Sequence, residues 1–123
     1  MHASIAMIGL ILATAAGAQN VAPDIATAAA KNQQGLLEFC AGEGHISLQA
    51  AQTQARVIAS FPPPQDAAVV EDAYRKGQAG IVSAMGMEQP LAEAATGQDT
   101  TPAEMCAKLA ATAEQAALQL PQQ

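Results

Sequence analysis

Apolar and polar positions along this chain repeat mostly with the period of an α-helix, and the repeats stop at glycines and prolines. Pro23-Asp24 opens the first helical segment, with proline tolerated in a first turn and aspartate suited to a helix N-terminus. Ile25, Ala29, Leu36 and Cys40 recur at near-helical spacing along it. Asn32 to Gly35 is a weak point and is expected to divide this segment from the next. A second helical pattern covers residues 36–59, with Cys40, Gly44, Leu48, Ala51, Ala55 and Ile58 on one narrow stripe. Gly42-Glu43-Gly44 is where that stripe would kink or break, and a break would put a new helix start near His45 or Ser47.

Phe61-Pro62-Pro63-Pro64 ends the pattern as a rigid connector, because prolines donate no backbone hydrogen bond. A proline-recognition ligand is the weaker reading of the same run. Asp66 is expected to cap a third helix reaching Met85, with Val70, Ala73, Gly77, Ile81 and Ala84 inward and Tyr74 alongside. Glu71 with Arg75, and Asp72 with Lys76, make two acid-to-base i,i+4 pairs. Gly77 and Gly80 leave room for another helix to approach closely. Residues 86–90 read as a turn, followed by a short helix over residues 91–95 that stops at Gly97. Thr101-Pro102-Ala103-Glu104 is a capping box, with proline at the first helical position. The last helix should run to about Leu120, with Cys106, Leu109, Ala113, Ala116 and Leu120 inward and Pro121 as the stop. No segment alternates over strand length, so no sheet is expected. The predicted fold is all-α: a small bundle of about four helices.

The first eighteen residues differ from the rest. They hold no Asp, Glu, Lys or Arg, run apolar from Ile5 to Ala13, and end in Ala16-Gly17-Ala18. That is the apolar region and small-residue cleavage site of a secretory signal peptide, although only His2 and the terminal amine supply positive charge. The apolar run falls well short of the roughly 20 residues a membrane span needs. Residues 1–18 are therefore expected to be a signal peptide and residues 19–123 a single helical domain, exported to the periplasm or secreted. Cleavage would leave Gln19 as the first residue.

All charged residues follow Ala18, 11 acidic against 5 Lys and Arg, for a formal net charge of -6. An acidic surface repels phosphate backbones, which argues against nucleic acid, and neither a span nor a basic face argues for membrane insertion. With no Trp, one Tyr and two Phe, the chain lacks the stacking platforms of single-strand binders and the usual lining of cofactor pockets. Alanine makes up about a quarter of residues 19–123, which favours helix but supplies little core volume.

A thin core raises the value of a covalent constraint. Cys40 and Cys106 are the only cysteines, and an even count in a small exported domain reads as a disulfide. In the chain-entropy picture a bond closing so long a loop stabilises by about 4 kcal/mol. The staple is expected to join the second helix to the last. A redox or nucleophilic thiol lacks support: there is no C-x-x-C, and His45, five residues from Cys40, would point away on a continuous helix.

Candidate chemistry is sparse. Glu38, Glu43 and His45 lie near one another in sequence but are expected to project around a helix without converging, so no metal site is predicted. No nucleophile elbow, Walker loop, dinucleotide fingerprint or zinc-protease motif occurs, so no catalytic residue and no cofactor is predicted. The expected role is binding through helix faces, with another envelope or secreted protein as partner. In architecture alone the chain resembles two kinds of small exported helical proteins: acid-stress chaperones and the immunity proteins that block secreted amidases. The resemblance rests on size, export and one disulfide. Two alternatives stay open, an enzyme whose site follows no recognisable motif and a self-associating structural subunit of the envelope.

Overall fold

A computed structural model describes residues 23–84 and 86–121; the expected signal peptide and the cleavage point before Gln19 lie outside them. Among the described residues there are five helices and one hairpin. The helices are α1 (Pro23–Gly42), α2 (Gln49–Ala59), α3 (Ala67–Gln78), α4 (Leu91–Gly97) and α5 (Pro102–Ala117). Strands β1 (Ile81–Ala84) and β2 (Met87–Pro90) pair antiparallel between α3 and α4, with Ile81 opposite Pro90 and Ala84 opposite Met87.

The helix α1 is the hub. One side of it sets Leu36 and Cys40 against Leu91, Ala94, Ala95, Met105 and Cys106, and another sets Leu37 against Ala50, Ala51 and Ala113. A helix buried on several sides has no single apolar stripe, so periodicity reads it poorly. Two expectations fail for this reason. The helix runs unbroken through Asn32 to Gly35, and Ile25, placed on the inner stripe, is 48% exposed.

Asn32 and Gly35 are interior contacts, not a break. The Asn32 amide nitrogen donates to the carbonyls of Ala73 (2.9 Å) and Ile81 (3.0 Å), and its oxygen accepts from the Ser83 amide (3.0 Å). One side chain thereby satisfies the free edge of β1 as a third strand would. Gly35 lies against the α3 backbone at Tyr74, Gly77 and Gln78, so the two helices cross with nothing but backbone between them. The close approach expected of Gly77 is therefore present.

The expected helix to Met85 is corrected: α3 stops at Gln78, and residues 81–84 and 87–90 pair as the hairpin. Gly80 takes φ +82° and its amide donates to the Gly77 carbonyl (2.8 Å), which turns the chain out of the helix. Ile81 and Val82 suit a strand, and the tight connection uses Gly86 at φ +81°. Strands of four residues are too short for alternation to register. The turn expected over residues 86–90 is thus a turn at Gly86 followed by β2.

Gly42-Glu43-Gly44 does break the second pattern, with Gly44 at φ +81° and α2 starting at Gln49. Leu48, expected inside, is 52% exposed, and the buried face of α2 is Ala50, Ala51, Thr53, Gln54 and Val57. Since Cys40 belongs to α1, the disulfide staples the first helix to the last, not the second. Helix α5 ends at Ala117, short of Leu120. The Thr101 hydroxyl accepts from the Glu104 amide (3.1 Å), so the predicted cap is in place. Lys76 pairs with Asp72 (3.0 Å) and also reaches Glu88 on β2, while the expected Glu71–Arg75 pair does not form among the described residues.

The connector between α2 and α3 is tied to the start of α1. The Asp24 carboxylate accepts from the amides of Gln65 and Asp66, both at 2.8 Å, and the Asp66 side chain caps α3 at Ala68 (3.1 Å). Replacing Asp24 by alanine should lower unfolding free energy by about 1 kcal/mol, the usual size of a lost cap. Asp24→Asn should retain part of it. Chemical denaturation checks this, and an unchanged midpoint for Asp24→Ala would show the clamp to be idle.

Candidate functional site

The chemistry-bearing side chains gather where α1 ends. The Glu38 carboxylate turns toward α3, accepting from the Tyr74 hydroxyl (2.6 Å) and the Gln78 amide nitrogen (2.9 Å). Lys31 lies 4.8 Å from the centre of the Tyr74 ring. The hydrogen bond to Glu38, with burial and the charges of Glu38 and Glu71 behind it, pushes the Tyr74 phenol from 10.0 up to about 12.

Between 10 and about 12 the folded protein keeps a proton that the unfolded chain releases. This contribution to stability is complete below pH 10 and is lost as pH rises toward about 12. As Tyr74 is the only tyrosine and there is no tryptophan, its phenolate absorbance reads the titration directly. The midpoint should lie near 12 and fall toward 10 in Glu38→Gln. A native midpoint at the ordinary value would refute the coupling.

One residue further on, Phe39 floors a groove of about 390 Å³. The break at Gly42–Gly44 sets Glu43 and His45 on its rim; Gly80 and Ile81, then Pro90 and Leu91, make the opposite wall. The walls are held by backbone bonds: Leu91 amide to Gly80 carbonyl (2.9 Å), Glu43 amide to Phe39 carbonyl (3.0 Å), and His45 amide to Cys40 carbonyl (3.0 Å). The Phe39 ring packs where a Gly80 side chain would otherwise stand. A shallower hollow of about 470 Å³ adjoins, lined by Glu38, Gly42 and Gln78, and shares Phe39 and Glu43 with the groove.

Glu43 and His45 therefore line one groove, which the sequence expectation of divergent side chains missed. His45 is not on a helix at all, so the helical rotation argued from Cys40 does not apply to it. Glu38 is committed to Tyr74 and Gln78. Among the described residues no three His, Cys, Asp or Glu side chains form a group able to hold a metal ion. A larger cleft of about 780 Å³ opens between the ends of α2 and α5, lined by Leu118 and Leu120, with Arg56 its one ionisable side chain.

Beneath the groove floor, Cys40 and Cys106 form the disulfide, with Cα atoms 5.8 Å apart and both residues 0% exposed. It joins the core that also holds Leu91 and Phe39. So buried a bond acts as a structural staple and not as an exchange partner for an external thiol. No helix among the described residues is long and apolar enough to cross a membrane. Comparison with protein-family models, curated proteins and solved structures finds no match.

Proposed function

We propose that this chain is an exported binding protein of the periplasm or the extracellular medium, acting on another envelope or secreted protein and not by catalysis. The observation that carries the reading is the fully buried Cys40–Cys106 bond. It commits both thiols to structure and fits an oxidising compartment, where small domains with thin cores use such staples. The apolar segment before Gln19 supports the same compartment. Rigid, disulfide-held faces with net charge -6 suit a basic protein partner, whose encounter rate would fall as salt rises.

The test starts from the disulfide-bonded protein isolated from its own envelope or medium. Intact mass should show residues 1–18 removed, and affinity capture followed by reconstitution with the purified partner should give a defined stoichiometry and a salt-dependent association rate. Retention of Met1 in that compartment would refute export. Turnover of a substrate that is abolished by His45→Ala would replace the binding reading with an enzymatic one.

A further inference from the structure

We infer that the groove over Phe39 is the docking site for a basic segment of the protein partner. It seats an aliphatic side chain against Phe39, Ile81 and Pro90, while the neighbouring Arg or Lys pairs with Glu43. The inference rests on the binding reading above and names its surface and the chemistry of its ligand.

Shape and charge together select this occupant. The groove, about 390 Å³, is floored by an aromatic ring and walled by aliphatic side chains, which favours an apolar group over a polar one. Its rim carries the exposed carboxylate of Glu43, which belongs to both hollows, beside His45; Glu38, in the second hollow, is already bonded to Tyr74 and Gln78. None of the chain's 5 Lys and Arg lines either hollow, and none of them pairs with Glu43. Lys31 is engaged by the Tyr74 ring, and Lys76 by Asp72 and Glu88. An aliphatic group beside a cation matches both features, while an acidic segment would meet like charge at the rim.

The groove is also preformed. Phe39 adjoins Cys40, and the disulfide, Leu91 and Phe39 share one packed cluster. The rim residues Glu43 and His45 are fixed by backbone bonds to Phe39 and Cys40. A partner segment would therefore bind without first ordering the site, which lowers the entropic cost of association.

Nuclear magnetic resonance titration of the disulfide-bonded protein, reading every backbone amide, tests the assignment. The probe is N-acetyl-leucyl-arginine amide, compared with N-acetyl-leucyl-glutamate amide and N-acetyl-glycyl-arginine amide. Saturable shifts should centre on Phe39, Glu43, His45, Gly80 and Leu91 for the leucyl-arginine probe, with both comparison peptides roughly ten-fold weaker. Glu43→Gln should weaken binding about three-fold, the usual scale of an exposed ion pair. Ala92→Arg, at an exposed position on the groove edge, should weaken it at least as much with the amide spectrum elsewhere unchanged.

Absence of saturable groove shifts up to the solubility limit would overturn the inference. So would equal binding of the leucyl-glutamate probe, or unchanged affinity in both variants. Shifts confined to Arg56 and Leu118 would place docking in the other cleft, overturning the groove while leaving the binding reading intact. Groove binding of the probe in a protein that captures no envelope or secreted partner would count against the functional reading and not against the groove.

Discussion

Loss of the Cys40–Cys106 bond should cost about 4 kcal/mol of stability. The two cysteines are 66 residues apart, so the closed loop spans most of the described chain and its removal restores a large denatured-state entropy. The native protein has little to offset that loss. Nearly half of its buried apolar residues are alanines, and among the described residues the largest fully buried side chains are only Leu36, Leu37, Cys40 and Cys106. A deficit of this size approaches the whole stability of a small domain. A double Cys40→Ala, Cys106→Ala variant should therefore be largely unfolded, or show a denaturation midpoint shifted to a small fraction of the parent's. Both sulfurs being buried, dithiothreitol should reduce the bond far more slowly under native conditions than in denaturant. Rapid alkylation of both cysteines in the folded, reductant-treated protein, or a loss below about 1 kcal/mol, would contradict the staple.

Gly77→Ala should be nearly as damaging, at or above the upper end of the usual overpacking cost of about 1–3 kcal/mol. A methyl group there would meet the Asn32 carbonyl and the Leu36 amide nitrogen, both backbone atoms of α1, with Gly35 also in contact. No rotamer change relieves a clash between two backbones, so the helices would have to separate. Separation stretches the three hydrogen bonds that Asn32 makes to Ala73, Ile81 and Ser83. The loss would therefore include a buried polar network as well as packing. Gly97→Ala is the matched control. It lies in α4 with nothing near its would-be side chain and no positive φ, so it should be neutral or stabilising by up to about 1 kcal/mol. Equal denaturation midpoints for the two variants would remove the backbone-crossing account.

Both predictions depend on how α1 is used. An exposed helix advertises its inner face by period, and α3 did so: Val70, Ala73 and Gly77 are all buried as their spacing required. The helix α1 is enclosed by α2, α3, α5 and β1, so polar residues with internal partners sit among its apolar ones. Asn32 is 2% exposed, and Gln54, facing α1 from α2, is 3% exposed while donating to the Ala30 carbonyl (3.0 Å). In a linear reading such residues mark a loop or a solvent face. Only their partners, 24 to 51 positions away in sequence, make them interior. The groove was hidden for a related reason. Glu43 and His45 are recognisable as polar residues after a helix, but the wall they face comes from β1 and α4, some 35 or more positions later.

By itself the sequence determined what depends on neighbours in the chain. The capping box at Thr101, the proline connector, the breaks at Gly42–Gly44 and Gly97, and the dominance of helix all follow from local backbone chemistry. Cysteine parity determined the pairing of Cys40 with Cys106, since two cysteines admit one intrachain bond. The tertiary structure alone decided that α1 is central and continuous, that residues 81–84 and 87–90 pair as a hairpin, and that Phe39, Glu43 and His45 share a groove. Each of these depends on backbone groups finding partners far along the chain. A strand of four residues has no stable identity until an opposing strand and the Asn32 amide satisfy its two edges.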